Sequence, residues 1–305
     1  MICLLDCWSV LLLASTITQA AFCSLTDSES DVFHSLLNQQ ISRLLLSHIH
    51  RLLKRPTVPS PEIPTTSLSL RSTHILSSRI QGPSLLQLLH RCHTEHTTVT
   101  AALAAATILE LKRLMPESST ASLKMETMVN LRKALCVVDE GRYACALQCL
   151  AAPIDTVVEV SDGDDLWVHA RGYKQGLTEA MKAGQWKRQV AAFKAFKYGI
   201  YEALARVAVS PRMQGRVKAA AISNLGVLMH TKKKEEEGGG EEGREELQIA
   251  RLQWGISLHG IGQYVFVAAS TQGECLNLTL TCISPMLSAG RAKGLLDGIV
   301  GRLTL

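Results

Sequence analysis

The sequence of 305 residues predicts an α+β domain arranged as a two-layer α/β sandwich. Three observations support this fold class. The hydrophobic share of 47 % is enough to build a packed core, which excludes a disordered or collagen-like chain. Several segments repeat apolar residues at helical spacing, and one segment near the C-terminus alternates apolar with polar residues as a strand does.

The N-terminal part predicts one amphipathic helix followed by a linker. Apolar residues recur at helical spacing over 32–53, with Arg43 and Arg51 elsewhere on the helical wheel. Residues 55–82 contain four prolines in a stretch rich in serine and threonine, which predicts a linker or an extended crossing segment.

Two helices are predicted directly after this linker. Ser84 and Gln87 form a capping-box pattern at the start of the first helix. Thr97 or Thr98 can cap the second helix, an alanine-rich run over Val99–Met115 that ends before a proline.

The middle of the chain predicts strands followed by a long helical region. Met125–Leu131 and Thr156–Val160 are compatible with strands, and Leu166–Val209 is helical with an interruption near Gly184. Aromatic and basic residues alternate through this helical region. Amphipathic helices with aromatic cores and lysine-rich outer faces explain that pattern, so we expect no nucleic-acid partner.

The C-terminal part gives the clearest strand pattern. Leu276, Leu278 and Leu280 alternate with Asn277, Thr279 and Thr281, which predicts a strand over 275–283 with one buried and one solvated face. A partner strand over 264–269, a turn at Gln272-Gly273 and a third strand over 247–256 would complete a meander. A strand near 219–229 precedes the meander, and a terminal helix follows Ser288 as its N-cap.

Cysteine usage and the first twenty residues bear on the compartment. The nine cysteines include no CxxC pair, which is typical of thiols in a reducing compartment, so we expect a cytoplasmic protein. Cys145 and Cys149 are one helical turn apart but have no further ligand nearby, so no metal site is expected. Residues 1–20 resemble a secretory signal, which leaves secretion as the alternative, but the apolar run is too short for a stable membrane span.

Four stretches of the sequence follow one another in the order known from a protein superfamily. They are Leu85–Leu111, Val129–Lys133, Ile222–Val227 and Leu258–Leu280. Together they resemble the chloramphenicol-acetyltransferase-like superfamily, in particular the fungal alcohol acetyltransferases and the condensation-domain-like acyltransferases. The resemblance implies two lobes of similar fold that meet at a tunnel, with a His-x-x-x-Asp motif in the N-terminal lobe.

The resemblance places Cys23 at the position of the catalytic histidine and Asp27 at that of the structural aspartate. Only 22 residues precede Cys23, so the resemblance implies a truncated N-terminal lobe. The expected organisation is an apolar segment over 1–22, a remnant of the N-terminal lobe with the linker over 23–82, and a C-terminal acyltransferase-like lobe over 83–305.

The implied function is O-acyl transfer from a thioester, either acyl-coenzyme A or an acyl carrier protein, to a small-molecule alcohol. The resemblance places Ser223, Asn224 and Gly226 at the tunnel wall, whereas the residues alone favour a strand that ends in a turn. Acyl-coenzyme A would be a co-substrate, and no bound cofactor is expected. Because a cysteine thiol is a poor general base, activity would be impaired.

Two alternatives remain open at this stage. One is a catalytically inactive binding or scaffold protein that keeps the C-terminal lobe. The other is an incomplete gene model in which residues 1–23 replace the true first lobe. In either case, apolar surface left uncovered by the missing elements would favour self-association.

Residues 232–246 carry 4 basic and 7 acidic side chains with no apolar anchor, which predicts a mobile loop. Replacing this loop with a Gly-Ser linker should change stability little, because few contacts are lost and loop-closure entropy varies slowly with length. Thermal melting of the two proteins measures the difference. A loss above about 2 kcal/mol would show that the loop packs against the domain.

Overall fold

The computed structural model describes residues 71–115, 120–131, 151–187, 215–227, 252–258, 262–284 and 286–305. Within these ranges, six strands and four helices have both ends described. In chain order they are β1 (Ser72–Gln81), α1 (Pro83–Thr94), α2 (Val99–Arg113), β2 (Thr120–Asn130), β3 (Ala151–Ser161), α3 (Leu166–Lys182), β4 (Arg216–Val227), β5 (Gly262–Gln272), β6 (Cys275–Ser284) and α4 (Ala289–Thr304). The predicted helix over 32–53 and the loop over 232–246 lie outside the described residues, as do Cys145 and Cys149.

The six strands form one mixed sheet in the order β1-β6-β5-β4-β2-β3. Strand β4 is parallel to both β5 and β2, while the other neighbouring pairs are antiparallel. The carboxyl ends of β2, β4 and β5 therefore lie along one edge of the sheet. This arrangement confirms the expected α+β class.

Helix α2 occupies the centre of the helical layer. All twelve residues from 101 to 112 are buried, and the helix contacts α1, α3, α4, β3 and β4. Five of those twelve residues are alanines, whose small side chains favour the helix and allow neighbouring elements to approach closely. The predicted cap is confirmed, because Thr98 Oγ1 accepts a hydrogen bond from the Ala101 N–H at 3.2 Å.

Two charged residues are buried near the end of α2, and each has partners of opposite charge. Arg302 Nε of α4 donates to Glu110 Oε1 at 2.5 Å, and Arg113 Nη1 donates to Glu110 Oε2 at 3.1 Å. Lys112 Nζ donates to Asp162 Oδ1 at 2.7 Å. Burial of these charges is tolerable because each one is paired and hydrogen-bonded.

A glycine in α4 makes room for the Glu110 carboxylate. A Cβ built on Gly298 would lie 2.3 Å from Glu110 Oε2 and 2.6 Å from its Cδ, far inside van der Waals contact. By contrast, a Cβ built on Gly294, one turn earlier, meets nothing within 4 Å. Of these two glycines, only Gly298 is needed for packing.

The hairpin of β5 and β6 has the predicted strands, but its turn differs from the expectation. The turn consists of Gly273 and Glu274, since Gln272 pairs with Cys275, so the predicted turn is displaced by one residue. Gly273 has a φ of 54°, which glycine adopts at no steric cost.

The expected solvated face of β6 is wrong, because that face is covered. Asn277 and Thr279 are each 3 % exposed and Thr281 is fully buried. The cover is residues 252–258, which we call the strap. In the strap, Trp254 packs edge-on against Phe266, with ring centroids 5.5 Å apart, and a Cβ built on Gly255 would lie 3.1 Å from Thr281 Oγ1.

The strap contains the described part of the predicted third strand over 247–256, and these described residues are not a strand of the sheet. It is tied to the sheet through side chains instead. Ser270 Oγ donates to Leu252 O at 3.0 Å, and the Thr73 and Ser257 hydroxyls lie 3.3 Å apart. The strap therefore lies over the sheet and does not extend it.

Other boundaries differ from the sequence-based expectation. Residues 72–81, expected in the linker, form the edge strand β1, in which only Ile80 is fully buried and the apolar pattern is weak. Helix α1 begins at Pro83, with Gly82 as its N-cap and no side-chain cap, so the Ser84 capping box is wrong. The interruption near Gly184 is confirmed because α3 ends at Lys182, and Ser288 caps α4 as predicted.

Four charged residues form a cluster across β2, β3 and β4. Lys218 Nζ lies 2.8 Å from Asp155 Oδ1 and also pairs with Glu126, while Lys124 Nζ lies 3.2 Å from Asp155 Oδ2. Burial alone would raise the pKa of Asp155, but Lys124 and Lys218 together hold it below its usual value. Burial would lower the pKa of Lys218, but Glu126 and Asp155 raise it. Asp155 and Lys218 thus stabilise each other in the charged form.

Substituting Gly298 tests the packing of α2 against α4. We expect Gly298→Ala to lower the free energy of unfolding by about 2 to 4 kcal/mol, because the new methyl group displaces a buried, paired carboxylate. The matched control Gly294→Ala should raise it by about 0.4 to 1 kcal/mol, since alanine favours the helix and has open space there. Urea unfolding measures both. Equal effects of the two substitutions would contradict the packing described.

Removing one ammonium group tests the charged cluster. Lys218→Met should lower the free energy of unfolding at pH 7 by about 2 to 4 kcal/mol, because it removes the ammonium group with which both largely buried carboxylates pair. The folded pKa of Asp155 is depressed, so the pairing stabilises the fold above the unfolded pKa and is lost as the pH falls through the folded value. The penalty of Lys218→Met should therefore persist down to about pH 4 and shrink below it.

The control for this pair is Lys293→Met, which breaks the exposed i, i+4 pair of Lys293 and Asp297. It should change stability by less than about 0.5 kcal/mol at either pH. Urea unfolding at pH 7 and at about pH 2.5 measures both variants. A penalty for Lys218→Met that is independent of pH would show that lost packing, and not charge, is responsible.

Candidate functional site

Three of the five residues singled out from the sequence lie in the described structure. Ser223, Asn224 and Gly226 are at the end of β4, along the edge where the carboxyl ends of β2, β4 and β5 lie. Cys23 and Asp27 lie outside the described residues, so their distance from the other three stays undefined.

The side-chain amide of Asn224 forms two hydrogen bonds at the end of β4. Its Oδ1 accepts a hydrogen bond from the Gly226 N–H at 2.9 Å, and its Nδ2 donates to Thr100 Oγ1 at 3.1 Å. The pairing of β4 with β5 is irregular between Asn224 and Val227, as expected where a strand bulges. The amide group therefore joins this bulge to the first turn of α2.

Gly226 has a φ of 76°, a conformation that favours glycine over residues with a side chain. A Cβ built on it would meet nothing within 4 Å, so the space beside its Cα is open among the described residues. Glycine is therefore needed for backbone conformation at this position, and none of the described residues fills the space beside it.

Ser223 lies on the opposite face of the sheet from Asn224, because successive strand residues alternate between faces. It pairs with Ala268, which in turn pairs with Thr279 beneath the strap, and it is 7 % exposed. Asn224 lies on the helical face, where it meets Thr100. Ser223 and Asn224 are thus adjacent in sequence but do not share one surface.

Thr100 is a site residue that the sequence did not single out. It lies in the first turn of α2, and Asn224, Gly226 and Thr100 are all partly exposed to solvent. The N-terminus of a helix is the positive end of its dipole, so this end of α2 favours negative charge. The threonines at the start of α2 are visible in the sequence. Their contact with β4 is not, because Thr100 and Asn224 are 124 positions apart.

A separate cavity lies at the other end of α2. It has a volume of about 210 Å³ and is lined mainly by charged and polar residues: Leu109, Lys112, Arg113, Ser161, Asp162, Gly163, Asp164 and Arg302. Its cations are paired with Asp162 and Glu110, as described above. The charges in this cavity are therefore used to stabilise the fold.

The loop at this cavity is fixed by Asp164. Its Oδ2 accepts the Ser161 N–H at 2.6 Å and lies 2.7 Å from His169 Nε2. The Ser161 N–H and the histidine hold the pKa of Asp164 below its usual value. This pair of residues orders the start of α3.

Two of the described cysteines, Cys92 and Cys282, are buried free thiols. Burial raises the pKa of Cys92 and of Cys282 to about 11, so both remain protonated thiols. In the described ranges, no group of three histidine, cysteine or acidic side chains is placed to hold a metal ion. No helix in the same ranges is long and apolar enough to span a membrane.

Sequence comparison finds no matching family model and no matching curated protein. Structural comparison does find proteins of similar fold. The trichothecene 15-O-acetyltransferase from Fusarium sporotrichioides is 12 % identical, with a TM-score of 0.58 over 93 % of this chain and 53 % of that one. The epimerization domain of the third module of tyrocidine synthetase B is 16 % identical, with a TM-score of 0.51 over 88 % of this chain and 56 % of that one.

A third similar structure is the EpoB cyclization-docking bidomain from Sorangium cellulosum. It is 11 % identical, with a TM-score of 0.52 over 88 % of this chain and 48 % of that one. This chain therefore spans about half the length of the structures it matches. The resemblance expected from the sequence is confirmed in the fold: the chain has the chloramphenicol-acetyltransferase-like fold of condensation domains and acyltransferases.

Proposed function

We propose that this protein is an O-acyltransferase-like protein that moves an acyl group from a thioester, acyl-coenzyme A or an acyl carrier protein, to a small-molecule alcohol. In this reaction the alcohol oxygen attacks the thioester carbonyl and gives up its proton to a base. The carbonyl oxygen becomes a transient oxyanion. The C–S bond then breaks, and the thiolate leaves and takes up a proton. The product is an ester and a free thiol.

The observation that carries this proposal is the end of β4. The Asn224 amide is held at 2.9 Å and 3.1 Å from Gly226 and Thr100, and it faces the positive end of α2. A fixed amide N–H beside a helix N-terminus is a suitable group to stabilise an oxyanion. The open space at Gly226 gives a thioester room to approach.

Apolar surface next to this site fits the rest of the substrate. Leu225 is 48 % exposed and Val227 is 57 % exposed, both within three residues of Asn224. Exposed branched side chains at a strand end offer contact to an acyl chain or to the carbon skeleton of an alcohol. The named activity of the similar Fusarium enzyme, O-acetyl transfer, is consistent with this substrate class.

None of the described residues at the proposed site is a histidine that could act as the general base. The resemblance puts Cys23 where a histidine would act, and a thiol of ordinary pKa is mostly protonated at neutral pH. Removal of a general base typically slows a reaction by about 10²- to 10⁴-fold. We therefore propose that turnover by this chain is slow. The alternative is a catalytically inactive binding protein with the same fold.

An acyl-transfer assay tests this proposal. The purified chain is mixed with acetyl-coenzyme A and a panel of short- and medium-chain alcohols, and release of free thiol is followed. We expect little or no turnover by the unmodified chain and faster turnover by Cys23→His, because imidazole is an effective base at neutral pH. In the Cys23→His protein, Asn224→Ala should lower kcat by about 10²- to 10³-fold. The control Gln87→Ala, on the exposed face of α1, should leave it unchanged.

Two results would contradict the proposal. Robust turnover by the unmodified chain that disappears in Cys23→Ala would make Cys23 a nucleophile instead of a missing base. Absence of both turnover and acetyl-coenzyme A binding in every variant, measured by titration calorimetry, would favour the inactive binding protein.

A further inference from the structure

The orientation of the Asn224 amide is defined by two contacts that act together. Its oxygen accepts the Gly226 N–H at 2.9 Å, and its nitrogen donates to Thr100 Oγ1 at 3.1 Å. A flipped amide would place its NH₂ group against the Gly226 N–H, so that two donors face each other. The flipped state is therefore unfavourable, and only one of the two amide hydrogens is needed for Thr100.

Of the three residues joined by these hydrogen bonds, Thr100 lies in the most tightly packed element. Asn224 and Gly226 belong to an irregular strand end, whereas Thr100 directly precedes the twelve buried residues of α2. A group held by a packed helix keeps its position better than one held only by a bulged strand end. The Thr100 hydroxyl thus transfers the rigidity of α2 to the end of β4.

We propose that Thr100 is a positioning residue that holds the Asn224 amide and the Gly226 backbone in the geometry needed to stabilise the oxyanion. This inference rests on the function proposed above. Thr100 touches Asn224 and not the reacting atoms, so its effect passes through the amide. Without the hydroxyl the amide is held by Gly226 alone and can rotate away.

Two variants of the full chain separate the hydroxyl from the rest of the side chain. Thr100→Val keeps the shape and removes the hydrogen bond, while Thr100→Ser keeps the hydroxyl. The control Thr178→Val removes a threonine hydroxyl from an exposed site on α3, where it donates to Lys174 O. The first readout is the amide resonance and amide hydrogen exchange of Gly226 in protein labelled with ¹⁵N-glycine.

We expect Thr100→Val to shift the Gly226 resonance and to speed its hydrogen exchange about tenfold or more. Thr100→Ser should restore both, and Thr178→Val should change neither. The second readout is acetyl transfer in the Cys23→His protein. There Thr100→Val should lower kcat about 10- to 100-fold with little change in KM, and Thr100→Ser should recover most of the rate.

An unchanged Gly226 amide in Thr100→Val would overturn the positioning role, whatever the activity of the chain. A Gly226 amide that changes as expected while kcat stays the same would also overturn it. If the amide changes but no variant binds or transfers the acetyl group, the proposed function itself fails. The two failures are thus distinguishable.

Discussion

The burial of helix α2 is the constraint on which the rest of the described structure depends. An alanine-rich helix that is apolar on all sides can only be stable inside a core, so α1, α3, α4 and the sheet must surround it. Its two buried charges add a second demand, because Glu110 and Lys112 need partners from α4 and from the loop after β3. Gly298 allows α4 to approach α2 closely, because a side chain at this position would clash with the Glu110 carboxylate.

The two ends of α2 differ in the polar contacts that they make. At its C-terminal end, charges are paired with one another and fix the packing of α4 and the start of α3. At its N-terminal end, the cap is followed by a hydroxyl that reaches across to β4. Open space, a positive helix end and an oriented amide occur together at this N-terminal end. The end of β4 is therefore the place that we propose for acyl transfer.

The sequence predicted elements whose pattern is local and missed features that depend on distant segments. Thr98 and Ser288 were predictable caps because a cap is set by its own helix. The burial of the polar face of β6 was not predictable, because Thr279 and Thr281 are covered by the strap, which lies about 25 residues away in the sequence. The edge strand β1 has only one fully buried residue and so carries no clear pattern.

The candidate site was predictable only in part. Ser223, Asn224 and Gly226 stand together as a motif in the sequence, but their partner Thr100 is identified only by the fold. The roles of Cys23 and Asp27 stay predictions.

The most direct test is a crystal structure of the full chain with a thioether analogue of acetyl-coenzyme A, in which a methylene separates the sulfur from the carbonyl. The proposed function predicts that the carbonyl oxygen of the analogue lies within about 3.2 Å of Asn224 Nδ2, with the acyl group beside Gly226. Binding of the analogue in the cavity between Lys112 and Arg302, with the end of β4 empty, would contradict it.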